Sequence, residues 1–174
     1  MKFGAAFHYL RTMFPTLNGN GRIWIYVAQR PLTEEEAHKI NERLAAFCTN
    51  WAAHGNQLKA EFGIFYNQLL ILGVDEEVAA ATGCSIDQTS AIFRQIDSEM
   101  NLDLFNRMNL TFLQDCTIRI VKMSDLNQAY ISGLISDDSI FLNNTLSVLS
   151  DLRMKWQVPF KESWAYKRVN VSTS

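Results

Sequence analysis

The chain has 174 residues, 48% hydrophobic, 11% aromatic and 20% charged, enough apolar material to bury the core of one ordinary globular domain and too much for a disordered chain or a coiled coil. A formal net charge of −2 gives no whole-surface attraction for phosphate, so nucleic acid is not an expected partner. No apolar run reaches the roughly 20 residues that a spanning helix needs, so the expectation is a soluble protein with no membrane partner.

Cys48, Cys84 and Cys116 are odd in number and far apart, which suits neither a disulfide framework nor a CxxC metal or redox pair. His8 and Arg11 interrupt the apolar N-terminus before it could form a secretory core, so a reducing, cytoplasmic location is expected. The sequons at Asn109, Asn143 and Asn170 then carry no weight.

Residues 1–21 read as an N-terminal extension closing on Leu-Asn-Gly-Asn-Gly, residues 22–168 as a single α+β domain and residues 169–174 as a tail. The first strand follows the extension, with Ile23, Ile25 and Val27 on one face and Trp24, Tyr26 and Ala28 on the other. Thr33 and Glu36 form a capping box, opening a helix whose apolar stripe is Ala37, Ile40, Leu44, Cys48 and Trp51; Gly55 is its expected left-handed cap, with His54 in the last turn. Leu58 to Tyr66 alternates like a half-solvated edge strand. A turn at Asn67-Gln68 leads into Leu69 to Val74, apolar at every position and therefore a central strand.

Asp75 caps a short acidic turn that stops at Gly83, and Ser85 with Gln88 forms a second capping box for a helix bearing Ile86, Ile92, Ile96 and Met100. Two strands follow, Leu110 to Gln114 and Thr117 to Met123, joined at Asp115-Cys116. A helix capped by Ser124, a short strand at Ile140-Phe141-Leu142 and a helix capped by Asn144 and ended by Pro159 complete the chain. In this order residues 22–115 spell β-α-β-β-α-β, a ferredoxin-like core with an additional strand and C-terminal helices. Two helices cover one sheet face. The other, bearing Trp24 and Tyr26, needs a lid from the C-terminal helices or from a second copy in a homodimer.

No phosphate-cradling Gly-x-x-x-x-Gly-Lys-Ser/Thr, no Gly-x-Gly-x-x-Gly, no His-Glu-x-x-His and no Gly-x-Ser-x-Gly occurs, which removes the common nucleotide, zinc-protease and serine-hydrolase readings. Trp51-Ala52-Ala53-His54-Gly55, Val74-Asp75-Glu76, Gly83-Cys84-Ser85-Ile86-Asp87 and Trp156 to Pro159 with Ser163-Trp164 resemble an uncharacterised family of small bacterial proteins. Its members are often labelled "ABC transporter ATPase". The resemblance covers about residues 22–168 and implies no mechanism. The label itself conflicts with the missing phosphate loop and with a chain shorter than an ABC nucleotide-binding domain.

The polar residues that recur in these segments define the candidate site. Cys84, next to a helix N-terminus, has the setting of a nucleophile, with His54 as base and Asp75 orienting the imidazole. Trp51, Glu76, Ser85 and Asp87 would surround a ligand there. Packing and capping explain the same residues without chemistry: a small buried thiol, a cation at a helix C-terminus and two N-caps. No pair has metal-ligand spacing, and no cofactor is expected. The basic tail with Lys161, Lys167 and Arg168 could clamp the acidic stretch 75–103, against the ordinary alternative of two solvated faces. The expected role is a ligand- or protein-binding module that is not an ATP-hydrolysing transporter subunit. The alternatives are a thiol-dependent enzyme using Cys84 and His54, and an assembly protein using the second sheet face.

Overall fold

The apolar run at 69–74 becomes the central strand of an antiparallel sheet in a computed structural model that describes residues 13–53, 55–75 and 83–169, with the backbone alone at 83–85. The strands are β1 (Arg22–Val27), β4 (Lys59–Phe65) and β5 (Leu69–Asp75), in the order β1-β5-β4, and β5 is buried along its whole length. Between β1 and β4 come α1 (Glu34–Asn50) and two short paired strands, β2 (Ala52–Ala53) and β3 (Asn56–Gln57). The chain divides into two compact units, Met1–Phe105 with Thr145–Met154 and Asn106–Asn144 with Lys155–Ser174, a finer division than one domain over 22–168.

In the first unit the capping box forms as the sequence predicts. Thr33 Oγ1 accepts from Glu36 N at 3.1 Å, and the Glu36 carboxylate accepts from Thr33 N at 2.9 Å. Arg30 grips the same carboxylate with two nitrogens, at 2.7 and 2.8 Å. This guanidinium fork, followed by the Thr33 amide, holds the Glu36 carboxyl down to about 2. The β4–β5 turn lies one residue earlier than expected. Tyr66 and Asn67 take the left-handed conformation, with φ of 51° and 54°, and Gln68 is left to bond with Ala28, its Nε2 donating to the Ala28 carbonyl at 2.9 Å.

Ile40 and Leu44 of α1, with Phe93 and Ile96 of α2 (Gly83–Met100), are fully buried against one sheet face. That face carries Trp24, Tyr26, Phe62, Leu70 and Leu72, and the Tyr26 ring stacks on Phe93 at 4.0 Å. Trp24 and Tyr26 therefore lie under the helices, the reverse of the expected placement. Alternation identifies a strand's two faces and leaves open which one the helices take.

The opposite face is covered by residues 13–17, from the stretch read as an extension. Met13, Phe14 and Leu17 are all buried. Gly63 and Gly73 give them room: a Cβ on Gly73 would stand 2.8 Å from Leu17 Cδ1 and 3.5 Å from Phe14 Cδ2. The Phe14 ring meets Phe65 edge-on at 6.1 Å. Glu61 accepts from Thr16 N at 3.0 Å and from the Thr16 hydroxyl. Phe14 itself sits at φ 52°, a strained conformation for an aromatic residue, and Arg153 secures it by donating to the carbonyls of Met13 and Phe14.

The fold is α+β, and its first three strands have the 1-3-2 order of a split βαβ unit. The fourth strand departs from it. β6 (Asn109–Gln114), expected beside β1, belongs to the second unit's sheet, while Ser147 and Val148 bridge the outer edge of β1, Ile23 N donating to Ser147 O at 2.9 Å.

The second unit is an antiparallel sheet of order β7-β6-β8-β9, with β7 (Thr117–Lys122), β8 (Ile140–Leu142) and β9 (Gln157–Pro159). Asp115 and Cys116, with φ of 48° and 61°, make the β6–β7 turn. Phe112, Phe141 and Phe160 form its aromatic centre, joined by Leu126 and Ala129 of α3 (Leu126–Ile131). Asn144 does not cap a helix, because its amide is used elsewhere: Nδ2 donates to Thr111 Oγ1 at 2.5 Å, and Oδ1 accepts from Trp156 Nε1 at 2.9 Å. The last helix, α4 (Leu149–Lys155), is accordingly short, and Pro159 lies on an edge strand, where a missing N–H costs nothing. Lys161 pairs with Asp138 at 2.7 Å within this unit.

Candidate functional site

The C-terminal end of α1 is held by side chains. Thr49 Oγ1 donates to Ala45 O and Asn50 Nδ2 to Ala46 O, both at 2.8 Å, and Gln57 Nε2 donates to Thr49 O at 3.0 Å. With those carbonyls satisfied, Trp51 leaves the helix in extended conformation (φ −76°, ψ 116°) and its carbonyl accepts from Leu58 N at 2.8 Å. Gly55, at φ 79°, lies between β2 and β3, so it serves a small hairpin and not the helix cap expected of it.

This exit places the Trp51 indole inside the first unit, 1% exposed. Phe47 lies 5.0 Å from it with planes 36° apart, and Trp24 of β1 lies 5.9 Å away. Its Nε1 has no hydrogen-bond partner among the described residues. By contrast, the indole nitrogens of Trp156 and Trp164 donate to Asn144 and Asn143. A buried donor without an acceptor costs about 1–3 kcal/mol, a penalty that folding tolerates rarely.

Trp51 also lines an open cavity of about 320 Å³ between α1 and α2. Phe47 and Asn50 complete the α1 side; Gln88, Ala91, Ile92 and Gln95 form the α2 side. These four recur at three- and four-residue spacing, one continuous stripe of the helix. Among the described residues, no ionisable side chain lines the cavity.

The other candidate residues distribute as follows. Asp75 is the last residue of β5 and 8% exposed, and its Oδ2 accepts from Asn18 N at 3.3 Å. By alternation it belongs to the sheet face that residues 13–17 cover, away from the helices. α2 begins at Gly83, so Cys84 and Ser85 already lie in its first turn and Ser85 is not its cap; the side chains of both lie outside the described residues, as do His54 and Glu76. Asp87 is exposed on α2. Cys48 is partly buried, and burial, reinforced by Glu61, pushes its thiol up to about 11. Cys116 is exposed at its hairpin tip.

Of the described residues singled out from sequence, Trp51 is the one placed in the cavity. Asn50, Gln88 and Gln95 were missed, because uncharged polar residues on an exposed helix face are ordinary. The available signal was Gln88-x-x-Ala-Ile-x-x-Gln95, a neutral stripe within an otherwise acidic stretch.

Comparison with protein-family models, with curated proteins and with solved structures gave no match. Among the described residues no cluster of His, Cys, Asp and Glu could hold a metal ion, and no helix is long and apolar enough to cross a membrane.

Proposed function

We propose that this chain is a binding module, cytoplasmic and related to the small bacterial family that its HG, DE, GCSID and SW segments resemble, and that it takes a small ligand in the cavity between α1 and α2. Trp51 carries the reading: it lines that cavity, and its buried indole N–H has no partner among the described residues. Concave sites with aromatic walls and a few polar groups are where small ligands bind, and an orphan donor in such a wall gains an acceptor on binding. Nucleotide hydrolysis is no part of this role, since the phosphate loop is missing.

The test is a chemically diverse fragment library screened against the ¹⁵N-labelled chain, observing the indole N–H resonance of Trp51, assigned by its loss in Trp51→Phe. Saturable shifts of that resonance are expected from some fragments. A library that leaves it unmoved refutes the reading.

A further inference from the structure

The cavity's lining narrows the chemistry of its occupant, an argument that rests on the binding role just proposed. Its side chains are two aromatics, two aliphatics and three carboxamides. A charged ligand would give up hydration against Phe47 and Ile92 with no counter-charge among the described lining residues, a penalty that a neutral molecule avoids.

The polar groups have a definite donor and acceptor order. Asn50 uses one Nδ2 N–H on the Ala46 carbonyl, which leaves its Oδ1 as an acceptor and the second N–H as a donor. The adjacent residue, Trp51, offers only a donor. Asn50 thus keeps an acceptor and a donor, the complement of a group carrying N–H and C=O side by side, and the buried Trp51 N–H beside it is a further donor without a partner among the described residues. Gln88 and Gln95, exposed on α2 and without a partner among the described residues, each present the same donor–acceptor pair from the opposite wall. Phe47 supplies a partly buried ring face for stacking.

We infer that the ligand is an uncharged, flat heterocycle bearing a lactam or carboxamide, held between Asn50 and Trp51 at the C-terminal end of α1 and Gln88 and Gln95 on α2.

The probes are nicotinamide and uracil, with nicotinate and orotate as anions on the same frames and cyclohexanecarboxamide as the non-aromatic counterpart, titrated into the full ¹⁵N-labelled chain at millimolar concentration. The readouts are the Trp51 indole resonance and the side-chain amides of Gln88 and Gln95. At least one neutral heterocycle is expected to shift all three saturably, with the anions weaker by about tenfold or more. Replacing the exposed pair by Gln88→Ala and Gln95→Ala, in a chain whose remaining spectrum is unchanged, is expected to weaken that heterocycle by about threefold to tenfold. If the anions or cyclohexanecarboxamide bind as well as the neutral rings, or if these probes are silent while members of the diverse library shift Trp51, the ligand class is overturned and the binding role stands. Silence from the library as well overturns both.

Discussion

Removing the Arg153 guanidinium by Arg153→Ala tests whether residues 13–17 are a true layer of the first unit. Nε and Nη2 share the Met13 carbonyl at 3.1 and 2.9 Å, and Nη2 donates to the Phe14 carbonyl at 2.8 Å. The contact to Leu17 O, at 3.5 Å, is too long to contribute much. Two carbonyls therefore lose a charged donor, and at about 1.5–3 kcal/mol for such a bond, reduced for partial exposure, the gross loss is about 2–4 kcal/mol. Relaxation of the left-handed Phe14 backbone returns about 1 kcal/mol, leaving a net destabilisation of about 1–3 kcal/mol. Burial of Met13, Phe14 and Leu17, at about 1.5–3 kcal/mol each, exceeds that loss, so the segment stays docked and opens more often. In urea the unfolding midpoint should fall with an unchanged slope, and the Leu17 amide, which donates to Phe14 O at 3.1 Å, should exchange about tenfold or more faster. Arg153→Lys, with a single ammonium, should recover part of the loss. A midpoint and a Leu17 exchange rate both equal to wild type would refute the packing argument.

Three further outcomes are expected. Because the Glu36 carboxyl is held to about 2, below its ordinary 4.5, its contribution is complete above the ordinary value and disappears as pH falls through about 2; Glu36→Gln should flatten the stability–pH curve between those limits, and a carbon-13 titration of the Glu36 carboxyl with a midpoint near 4.5 would contradict this. Iodoacetamide at pH 8 should label exposed Cys116 readily and leave Cys48 unmodified until unfolding, because burial disfavours the Cys48 thiolate; mass mapping that finds Cys48 labelled in the folded chain would count against its placement. Cys116→Gly relieves a side chain at φ 61° in the β6–β7 turn and should raise stability by about 1 kcal/mol, seen as a higher melting temperature.

Where local pattern and burial coincide, the fold was legible. The uninterrupted apolar run at 69–74 had to be central, and the Thr33–Glu36 box had to start a helix, since each feature has few structural solutions. Long-range competition decided the rest. Asn144 has the chemistry of a cap, yet Thr111 and Trp156 claim its amide; Gly55 has the chemistry of a helix stop, yet the pairing of Ala52–Ala53 with Asn56–Gln57 uses it as a turn. Neither outcome is encoded within a few residues. The same holds for residues 13–17, whose apolar character lacked a period because they cover a sheet as an irregular segment, seated on two glycines that no pattern connects to them. At the candidate site Trp51 stood out by size, whereas Gln88 and Gln95 gain meaning only once α1 lies across from them.

The chain leaves the first unit after Phe105, returns to it at Thr145 and leaves again after Met154, so each unit is sewn from separated pieces. During synthesis, the outer edge of β1 therefore waits for Ser147 and Val148, made some 120 residues later, before its pairing is complete. A truncation ending at Phe105 would release an unfinished sheet edge, open to capture by a neighbouring nascent chain. Excising residues 106–144 would unravel the other unit at the same stroke. Neither unit is a contiguous cassette that a single cut in the chain would free whole.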